Sequence, residues 1–361
     1  MSRQAKVVIF LLGSLGDSIV AIPALRVVRR NFPDAELVVL HESGLGLVEP
    51  PDVLPNDLVD RYISYKRRLF SLTALLLRLR RERFDAAVYL VFSDRPAASV
   101  KRDRIFFRSA GIRRLIGFAP FSPKDLYPLD ASGRAAAVAS EAERKVARLE
   151  ADGLLVDKDA MRLPWLRPTI SEIDTATAWL REHINIRTVL ALAPGCKTKA
   201  NQWPVDDFIR LIKQVHERLN CGVIIVGGPD EAALGDMIGR EVDTCVNAAG
   251  KLNVRENAAL LTQCDGYVGL DTGTTHLAAA VGISVVAIYG QRNNPGQWFP
   301  HAASLEILQN DVPCAGCRGQ TCSVNGHPCM TGIQIDDVAV AVVRMLQSSA
   351  ASKTRRAAET A

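Results

Sequence analysis

A glycine turn that carries an acid follows the first apolar run of the chain. Residues 7–33 read VVIFLLGSLGDSIVAIPALRVVRRNFP, which predicts a buried strand, a turn at Gly13 and Gly16, and a helix over 17–31. Such a turn suits a phosphate, because glycines allow close approach and the first amides of a helix bind anions. The Asp17 carboxylate disfavours a phosphate at this turn, because two like charges 4 Å apart repel by roughly 4 kcal/mol at an effective dielectric constant of about 20. We therefore predict that Asp17, with Ser14 in the same turn, faces a hydroxyl group.

Two alternatives exist for this turn. Asp17 has the chemistry of a helix N-cap, and a cap needs no substrate. A dinucleotide-binding turn is the second alternative, because Glu42 follows the second strand, where an acid can hold a ribose. That turn requires G-x-G-x-x-G, whereas only two glycines are present here. An NAD-dependent oxidoreductase is thus an alternative function.

The second half of the chain offers a better anion site in LDTGTTHLAAAVG. An acid ends a buried strand, a glycine gives the turn, and two threonines open the next helix, where free amides and hydroxyls can bind a diphosphate. The predicted binding residues are Asp271, Thr272, Gly273, Thr274, Thr275 and His276. A capped helix with a buried core histidine is the alternative reading of the same pattern.

Two further loops of this half support a nucleotide site. APGCKTKANQWP places Lys197 and Lys199 beside a glycine turn, and VGGPDE places Glu231 where a ribose diol could donate to it. Both loops follow predicted strands. We therefore expect the nucleotide diphosphate in the second half and the acid that acts on a hydroxyl in the first.

Strand-like and helical stretches alternate through most of the chain, and this alternation is typical of parallel sheets covered by helices. The rhythm is lost at 152–168, which contains two prolines. We predict an α/β fold with two Rossmann-like, doubly wound domains, 1–165 and 166–334, facing each other across a cleft. A helix at 335–348 and a disordered tail at 349–361 follow. Ligands of such sheets bind beyond the carboxyl ends of the strands, where the loops described above lie.

Charge is distributed unevenly along the chain. The net charge is only +5, but residues 61–114 contain 15 Lys or Arg and four acids. Such a segment is expected to face an anionic partner, and since it lacks a recognised nucleic-acid-binding motif, we predict no nucleic-acid partner. No apolar run has the length of a membrane span, and the start does not resemble a signal peptide. We therefore expect a cytoplasmic protein.

Four of the eight cysteines share one loop with His327. Four thiolates can close a tetrahedral structural zinc site, and the candidate ligands are Cys314, Cys317, Cys322 and Cys329. The C-x6-C spacing is not standard for zinc, so reduced thiols are the alternative. The other cysteines lie in or beside predicted strands and helices and are expected to be small core residues.

Four segments together resemble glycosyltransferase family nine, the heptosyltransferases of lipopolysaccharide core assembly. They are GSLGDSIVAIPALRVVRRNFPDAEL, APGCKTKANQWPVDDF, VGGPDE and GLDTGTTHLAAAVG, in the order expected of the family. The resemblance covers nearly the whole chain. It implies the arrangement called GT-B, in which two Rossmann-like domains form the enzyme.

The resemblance implies an inverting sugar transfer from a nucleotide sugar, typically ADP-heptose. Asp17 matches the family acid that serves as general base towards the acceptor hydroxyl, and catalysis requires no metal or other cofactor. Residues 271–276 match the D-T-G-x-x-H segment and would stabilise the leaving diphosphate. Glu231 would hold the ribose, and the segment 250–252, with Lys251 and Leu252, would hold the adenine.

The resemblance also implies an anionic glycolipid acceptor, built on acidic or phosphorylated core sugars at the inner membrane. The basic segment 61–114 could dock on such a surface. We therefore expect peripheral contact with the cytoplasmic face of that membrane.

One position departs from the family pattern. The family shows a lysine two residues before the Trp of its W-P pair, and this chain has Asn201 there. Lys197 or Lys199 is then the candidate for the phosphate contact. A non-catalytic sugar-nucleotide-binding protein is the alternative function that this substitution suggests.

Overall fold

The computed structural model describes the backbone of residues 3–359 and the side chains of residues 3–68 and 70–351. Within this range the chain forms two sheets whose paired strands all run parallel. No helix in the described range is long and apolar enough to cross a membrane.

The strands of the first sheet are β1 Lys6–Leu11, β2 Glu36–Glu42, β3 Arg61–Tyr65, β4 Ala86–Tyr89 and β5 Arg114–Ile116. Those of the second sheet are β6 Val189–Ala193, β7 Gly222–Ile225, β8 Cys245–Asn247, β9 Gly266–Leu270, β10 Val285–Ile288 and β11 Leu305–Leu308. The sequence analysis did not predict β11, a short edge strand after a proline-rich loop.

Helices connect the strands and cover the faces of the sheets. The first seven are α1 Leu15–Ile19, α2 Ile22–Asn31, α3 Pro50–Val53, α4 Leu69–Glu82, α5 Ala97–Ser109, α6 Pro123–Leu126 and α7 Glu141–Ala151. The others are α8 Ile170–His183, α9 Val205–Leu219, α10 Ala232–Glu241, α11 Val254–Gln263, α12 Gly273–Ala280, α13 Pro328–Thr331 and α14 Ile335–Glu359. Single 3₁₀ turns lie at Lys199–Asn201 and Pro229–Glu231.

Contacts divide the chain into two compact units. Unit 1 runs to Pro128 and includes Val138–Trp165, whereas unit 2 comprises Leu129–Ala137 and the chain from Leu166 onward. The prediction had placed 129–137 in the first domain. The structure groups this segment with unit 2 because Asn294 Nδ2 donates to the Ala136 carbonyl at 2.9 Å and Arg134 pairs with Asp311 at 3.1 Å.

The sheet of unit 1 has the strand order β3-β2-β1-β4-β5. The chain winds outward from β1 through β2 to β3 and then returns to β4 on the other side of β1. This reversal leaves a crevice beyond the carboxyl ends of β1 and β4, which is where doubly wound sheets bind ligands. The strand β1 is buried from Val7 to Leu11, as expected for the centre of a parallel sheet.

The sheet of unit 2 has the strand order β11-β10-β9-β6-β7-β8. Here the reversal lies between β6 and β9, so the loops that follow these two strands flank the second crevice. The core of this unit contains Leu192, Phe208, Val268 and Ile288, all fully buried. The two units confirm the predicted α/β class with two doubly wound sheets.

Two helix predictions differ from the structure. The helix expected over 17–31 is interrupted, because Pro23 lacks an N–H and its ring would clash with the carbonyl four residues earlier in a continuous helix. The last helix continues to Glu359 through most of the segment 349–361, for which we predicted disorder. That segment contains no glycine or proline and is rich in Ala, Arg and Lys, which favour helices.

Candidate active site

The acidic turn of unit 1 lies at the carboxyl end of β1, beside the reversal of the sheet. Gly13 has φ +118°, and a Cβ atom at this position would lie 2.1 Å from Asp17 Cγ. The Asp17 side chain therefore folds back over the turn, and the backbone amide of Ser14 donates to its Oδ2 at 3.0 Å. Only glycine permits this close approach at residue 13.

Asp17 uses one of its two carboxylate oxygens in the turn. No other described residue donates to its Oδ1, and the backbone amide of Asp17 itself bonds to the carboxyl. The amide contact from Ser14 is the capping interaction of the alternative reading, so the carboxyl has a structural role as well as an unused oxygen. Burial raises the pKa of Asp17, while Lys145 and the Ser14 amide act in the opposite direction.

A buried charged cluster on α7 lies close to Asp17. Glu141, in the first turn of α7, accepts hydrogen bonds from both the amide and the hydroxyl of Ser93, which follows β4. Lys145, one turn later, places its Nζ 3.7 Å from Glu141 Oε2 and is 2% exposed. This ammonium has no hydrogen-bond partner among the described residues. Arg144 Nη1 donates to Ser93 Oγ at 3.0 Å.

These charges set the ionisation of the crevice. Burial lowers the pKa of Lys145, whereas Glu141, Asp17 and Asp94 raise it. Burial and Glu141 raise the pKa of Asp94, which follows β4 just as Asp17 follows β1. The crevice of unit 1 thus holds three carboxyl groups around one ammonium group, which pairs with Glu141 but makes no hydrogen bond to a described residue.

The residues of this cluster were not predicted from the sequence. The sequence does contain a pattern that indicates the cluster, because charged residues recur at the spacing of one helical face, at positions 141, 144, 145 and 148. All four side chains are buried in the structure. A charged stripe on an otherwise amphipathic helix can therefore indicate a buried functional cluster as well as a solvated face.

The predicted anion turn of unit 2 follows β9 and opens α12. Thr272 is the N-cap, and the first amides of the helix, from Gly273 onward, have no partner within the helix. Thr275 differs from its neighbours, since it is fully buried and its hydroxyl bonds to the Leu270 carbonyl and to Tyr267 Oη. The Thr275 side chain therefore stabilises the turn rather than facing a ligand.

Asp271, at the end of β9, is held by Asn201. The Asn201 amide Nδ2 donates to Asp271 Oδ2 at 2.9 Å. Burial raises the pKa of Asp271 to about 6, against the opposing effects of Arg292 and the Asn201 bond. Asn201 and Asp271 belong to different sequence motifs, and the structure brings their side chains into contact.

His276 is 4% exposed, and its ring centroid lies 6.2 Å from that of Trp298 in an edge-on arrangement. Burial lowers its pKa to about 4, so the imidazole is neutral at physiological pH. This environment favours the reading of a core histidine.

The loops predicted to hold ribose and adenine lie close together in unit 2. Glu231 Oε2 accepts from the Gly228 amide at 2.7 Å. A Cβ atom at Gly195 would lie 2.2 Å from Glu231 Cγ, so the loop after β6 packs directly on this acid. A Cβ atom at Gly250 would lie 3.0 Å from Pro229 Cα, which brings the segment 250–252 to the same place.

The predicted lysines of unit 2 are solvent-exposed. Lys197, Lys199 and Lys251 form no ion pair within the described part of the chain. Leu252 is half-buried, and its carbonyl accepts from Asn257 Nδ2 at 3.0 Å. The lysines are therefore available to a ligand, but no protein group orients their ammonium groups.

The structure does not support the zinc site at the cysteine loop. No group of three or more candidate ligands is close enough to hold a metal among the described residues. Cys329 is buried against the core of unit 2, whereas Cys317 is exposed. Burial raises the pKa of Cys329, and so do Cys322, Cys314 and Cys317, which therefore lie nearby without forming a set of metal ligands. Backbone bonds hold the loop instead: the Gly316 amide donates to the Gln291 carbonyl at 2.7 Å, and the Ala200 amide to the Gln320 carbonyl at 3.0 Å.

Comparison with known proteins gives similarities in sequence and in fold. The chain is 29% identical to lipooligosaccharide heptosyltransferase 2 of Haemophilus influenzae over 128 residues, which are 34% of this chain and 36% of that protein. The matches span between about a third and about half of the length of the first curated relatives.

Solved structures match over nearly the full length of the chain. The glycosyl transferase family 9 protein of Veillonella parvula superposes with a TM-score of 0.72 at 17% identity, covering 96% of this chain and 99% of its own. The E. coli heptosyltransferase WaaC with ADP gives 0.61 at 15% identity, covering 95% and 99%. At these identities the likeness shows the fold, which is GT-B.

The sequence model described as Glycosyltransferase family 9 (heptosyltransferase) matches residues 156–327, a range that contains three of the four motifs recognised above. This part of the chain is similar to glycosyltransferase family 9.

Proposed function

We propose that the protein is an inverting heptosyltransferase that moves a heptose from ADP-heptose to a hydroxyl of a lipopolysaccharide core or related glycolipid. Asp17 acts as the general base. The observation that carries the proposal is the environment of Asp17: a carboxylate with one free oxygen, at the reversal point of a doubly wound sheet, beside a buried cation.

The base role follows from this geometry. A general base needs an unused lone pair and a pKa raised towards the working pH, and Asp17 has both. Oδ1 would take the proton of the acceptor hydroxyl as its oxygen attacks the anomeric carbon and the C–O bond to the diphosphate breaks. Burial raises the pKa of Asp17, and the Lys145 ammonium opposes this effect and so favours the ionised form that can accept a proton.

Unit 2 is suited to the donor. The amides at the start of α12 and the half-buried Thr274 side chain offer hydrogen bonds to the leaving diphosphate. Glu231 Oε1 is available for a ribose diol, because the turn uses only Oε2. The solved WaaC structure named above contains ADP, which supports the same class of donor here. The proposed reaction requires no metal or other cofactor.

The oxidoreductase alternative loses support. Asp17 lies directly over Gly13, where the pyrophosphate of a dinucleotide would have to approach the backbone. The similarity of residues 156–327 to glycosyltransferase family 9 also points away from hydride transfer. A non-catalytic binding protein is an outcome that the experiment below can reveal.

We further propose that unit 1 contacts the cytoplasmic face of the inner membrane through α4 and α5, where the anionic acceptor is displayed. These helices bury Leu79 and Phe107 against the sheet and expose Phe70, Leu77 and Ile105 on other sides. The exposed cations of the same helices include Arg81, Lys101, Arg104 and Arg108. We expect sedimentation with phosphatidylglycerol vesicles but not with phosphatidylcholine vesicles, and equal sedimentation with both would contradict the contact.

The experiment for the main proposal is the variant Asp17→Asn. We expect loss of heptosyl transfer by about 10²–10⁴-fold with retained affinity for ADP-heptose, because only the proton acceptor is removed. The matched control is Asp94→Asn, another partly buried carboxyl near Lys145 in the same crevice, which should retain most of the activity.

If Asp17→Asn transferred heptose at a near wild-type rate, Asp17 would have only a structural role in the turn. Equal losses in both variants would show that the total charge of the crevice matters rather than the base. Tight binding of ADP-heptose without any transfer by the wild-type protein would support the non-catalytic alternative.

A further inference from the structure

The amide at position 201 brings no positive charge to the proposed donor site. Asn201 is 2% exposed, and its Nδ2 is committed to Asp271. Its Oδ1 has no hydrogen-bond partner among the described residues, and a carbonyl oxygen would repel a phosphate. A diphosphate bound at the start of α12 therefore needs a cation from elsewhere in unit 2.

Arg292 emerges from the same edge of the sheet. Strand β10 pairs with β9 in parallel register, with Ile288 opposite Leu270, so the residues after β10 lie beside those after β9. A Cβ atom at Gly290 would lie 3.2 Å from Asn201 Oδ1. Arg292 thus follows, by two residues, a glycine that packs closely against Asn201.

The cysteine loop orients this guanidinium. Arg292 Nε donates to the Gly319 carbonyl at 2.8 Å, and Nη2 donates to the Arg318 carbonyl at 3.3 Å. The Arg318 amide in turn donates to the Arg292 carbonyl at 2.8 Å. These bonds restrict the side chain without neutralising its charge.

Arg292 is half-buried, and it pairs with no carboxylate among the side chains that the structure describes. Its charge reaches Asp271, whose pKa it lowers against the effect of burial. Lys197 and Lys199, the candidates from the sequence, are exposed and unoriented. Arg292 is thus an oriented cation without a carboxylate ion pair among the described side chains, and it lies beside amides that suit an anion. These features are expected of a group that binds a negatively charged ligand.

We propose that Arg292 binds the diphosphate of the nucleotide donor in place of the lysine absent at position 201, and that the Arg318–Gly319 carbonyls of the cysteine loop position it. The planar guanidinium can donate two parallel hydrogen bonds to two phosphate oxygens, a fixed bidentate geometry that the rotatable ammonium of a lysine lacks. This inference rests on the proposed function, since it needs a nucleoside diphosphate sugar as the donor. It also gives the cysteine loop a role that requires no metal.

The test is calorimetric binding of ADP and of adenosine to the full-length protein and its variants. We expect Arg292→Ala to weaken ADP binding by about 10–100-fold, as for loss of hydrogen bonds to a charged group, and to leave adenosine binding unchanged. Arg292→Lys should fall in between. The matched control is Arg240→Ala, an exposed arginine of α10 in the same unit, which should bind ADP like the wild type.

A second variant separates loss of charge from loss of structure. Adding Asn201→Lys to Arg292→Ala should restore ADP affinity by about tenfold, since it returns a cation to the site. Wild-type ADP affinity in Arg292→Ala, or equal loss of ADP and adenosine affinity, would overturn the inference while leaving the proposed function intact. Failure of the wild-type protein to bind ADP would overturn the proposed function, and the inference with it.

Discussion

The two crevices of this molecule have the same position in their sheets and opposite chemistry. Asp17 follows β1 and Asp271 follows β9, each at the reversal point of a doubly wound sheet. Asp17 lies among charges, including the ammonium of Lys145, which pairs with Glu141. Asp271 is held by a neutral amide, at 2.9 Å, beside the free amides of a helix start.

The difference shows how the same type of sheet can carry a proton-accepting site in one unit and an anion-binding site in the other. Burial raises the pKa of both acids, so burial by itself does not distinguish them. The neighbours do. Asp17 lies near an ammonium that lowers its pKa and that already pairs with Glu141. Asp271 lies near Arg292, which forms no ion pair among the described side chains, and beside the free amides of a helix start, so this crevice has room for a bound anion.

The variant Gly13→Ala should break the crevice of unit 1. A methyl group there would lie 2.1 Å from Asp17 Cγ and would displace the carboxyl, so we expect at least about a 100-fold loss of transfer rate. Gly111→Ala is the matched control in the same unit, since Gly111 has φ +88° and no atom within 4 Å of its Cβ position.

Both variants should lose about 1–3 kcal/mol of unfolding free energy from backbone strain. Only Gly13→Ala should lose activity in a transfer assay at matched folded fraction. Comparable activity in the two variants would mean that the place of Asp17 in the turn is unimportant.

The variant Lys145→Met tests the cation of unit 1. We expect a loss of about 3 kcal/mol of unfolding free energy, because Glu141 is left buried without the ammonium 3.7 Å away. We also expect the acid limb of the pH–rate profile to move to higher pH. A carboxylate base is lost as pH falls through its pKa, and removing a nearby cation raises that pKa.

Two controls accompany this measurement. Lys145→Arg keeps the charge and should keep the wild-type acid limb. Lys124→Met removes an exposed lysine of the same unit and should change neither stability nor profile. An acid limb that stays in place in Lys145→Met would show that the ammonium does not govern Asp17.

The variant Asp271→Asn should give the smallest effect, a gain in stability. Because the folded-state pKa of about 6 lies above the ordinary value of an aspartate, the protonated form stabilises the fold, and this contribution is lost as pH rises from about 4 through 6. Asparagine imitates the neutral form. We expect about 1 kcal/mol of added stability at pH 8, after discounting for partial solvent exposure, and none near pH 4.

Urea unfolding followed by tryptophan fluorescence can measure this gain, since Trp179, Trp203 and Trp298 all lie in unit 2. A gain of the same size at pH 4 and pH 8 would mean that the ionisation of Asp271 is not its cause.

Much of the fold was predictable from the sequence because it depends on local patterns. The buried run at Lys6–Leu11 and the apolar periodicity of Val205–Leu219 identify a strand and a helix without any tertiary contact. The motif turns with Gly13 and Gly273 were recognisable because glycine at a strand–helix junction has a specific backbone use. The single helix predicted over 17–31 was wrong, since the pattern of apolar residues outweighed the signal of Pro23.

The sequence by itself determined the two doubly wound sheets, the acid in the first turn and the missing lysine at position 201. Only the tertiary structure decided which charges surround that acid and which cation lowers the pKa of Asp271. Lys145 and Arg292 reach these places through elements distant in sequence, and their effect depends on burial and on counter-ions contributed by other strands and loops. Periodicity and motif spacing describe neighbours along the chain, whereas electrostatic interactions are set by distances through space.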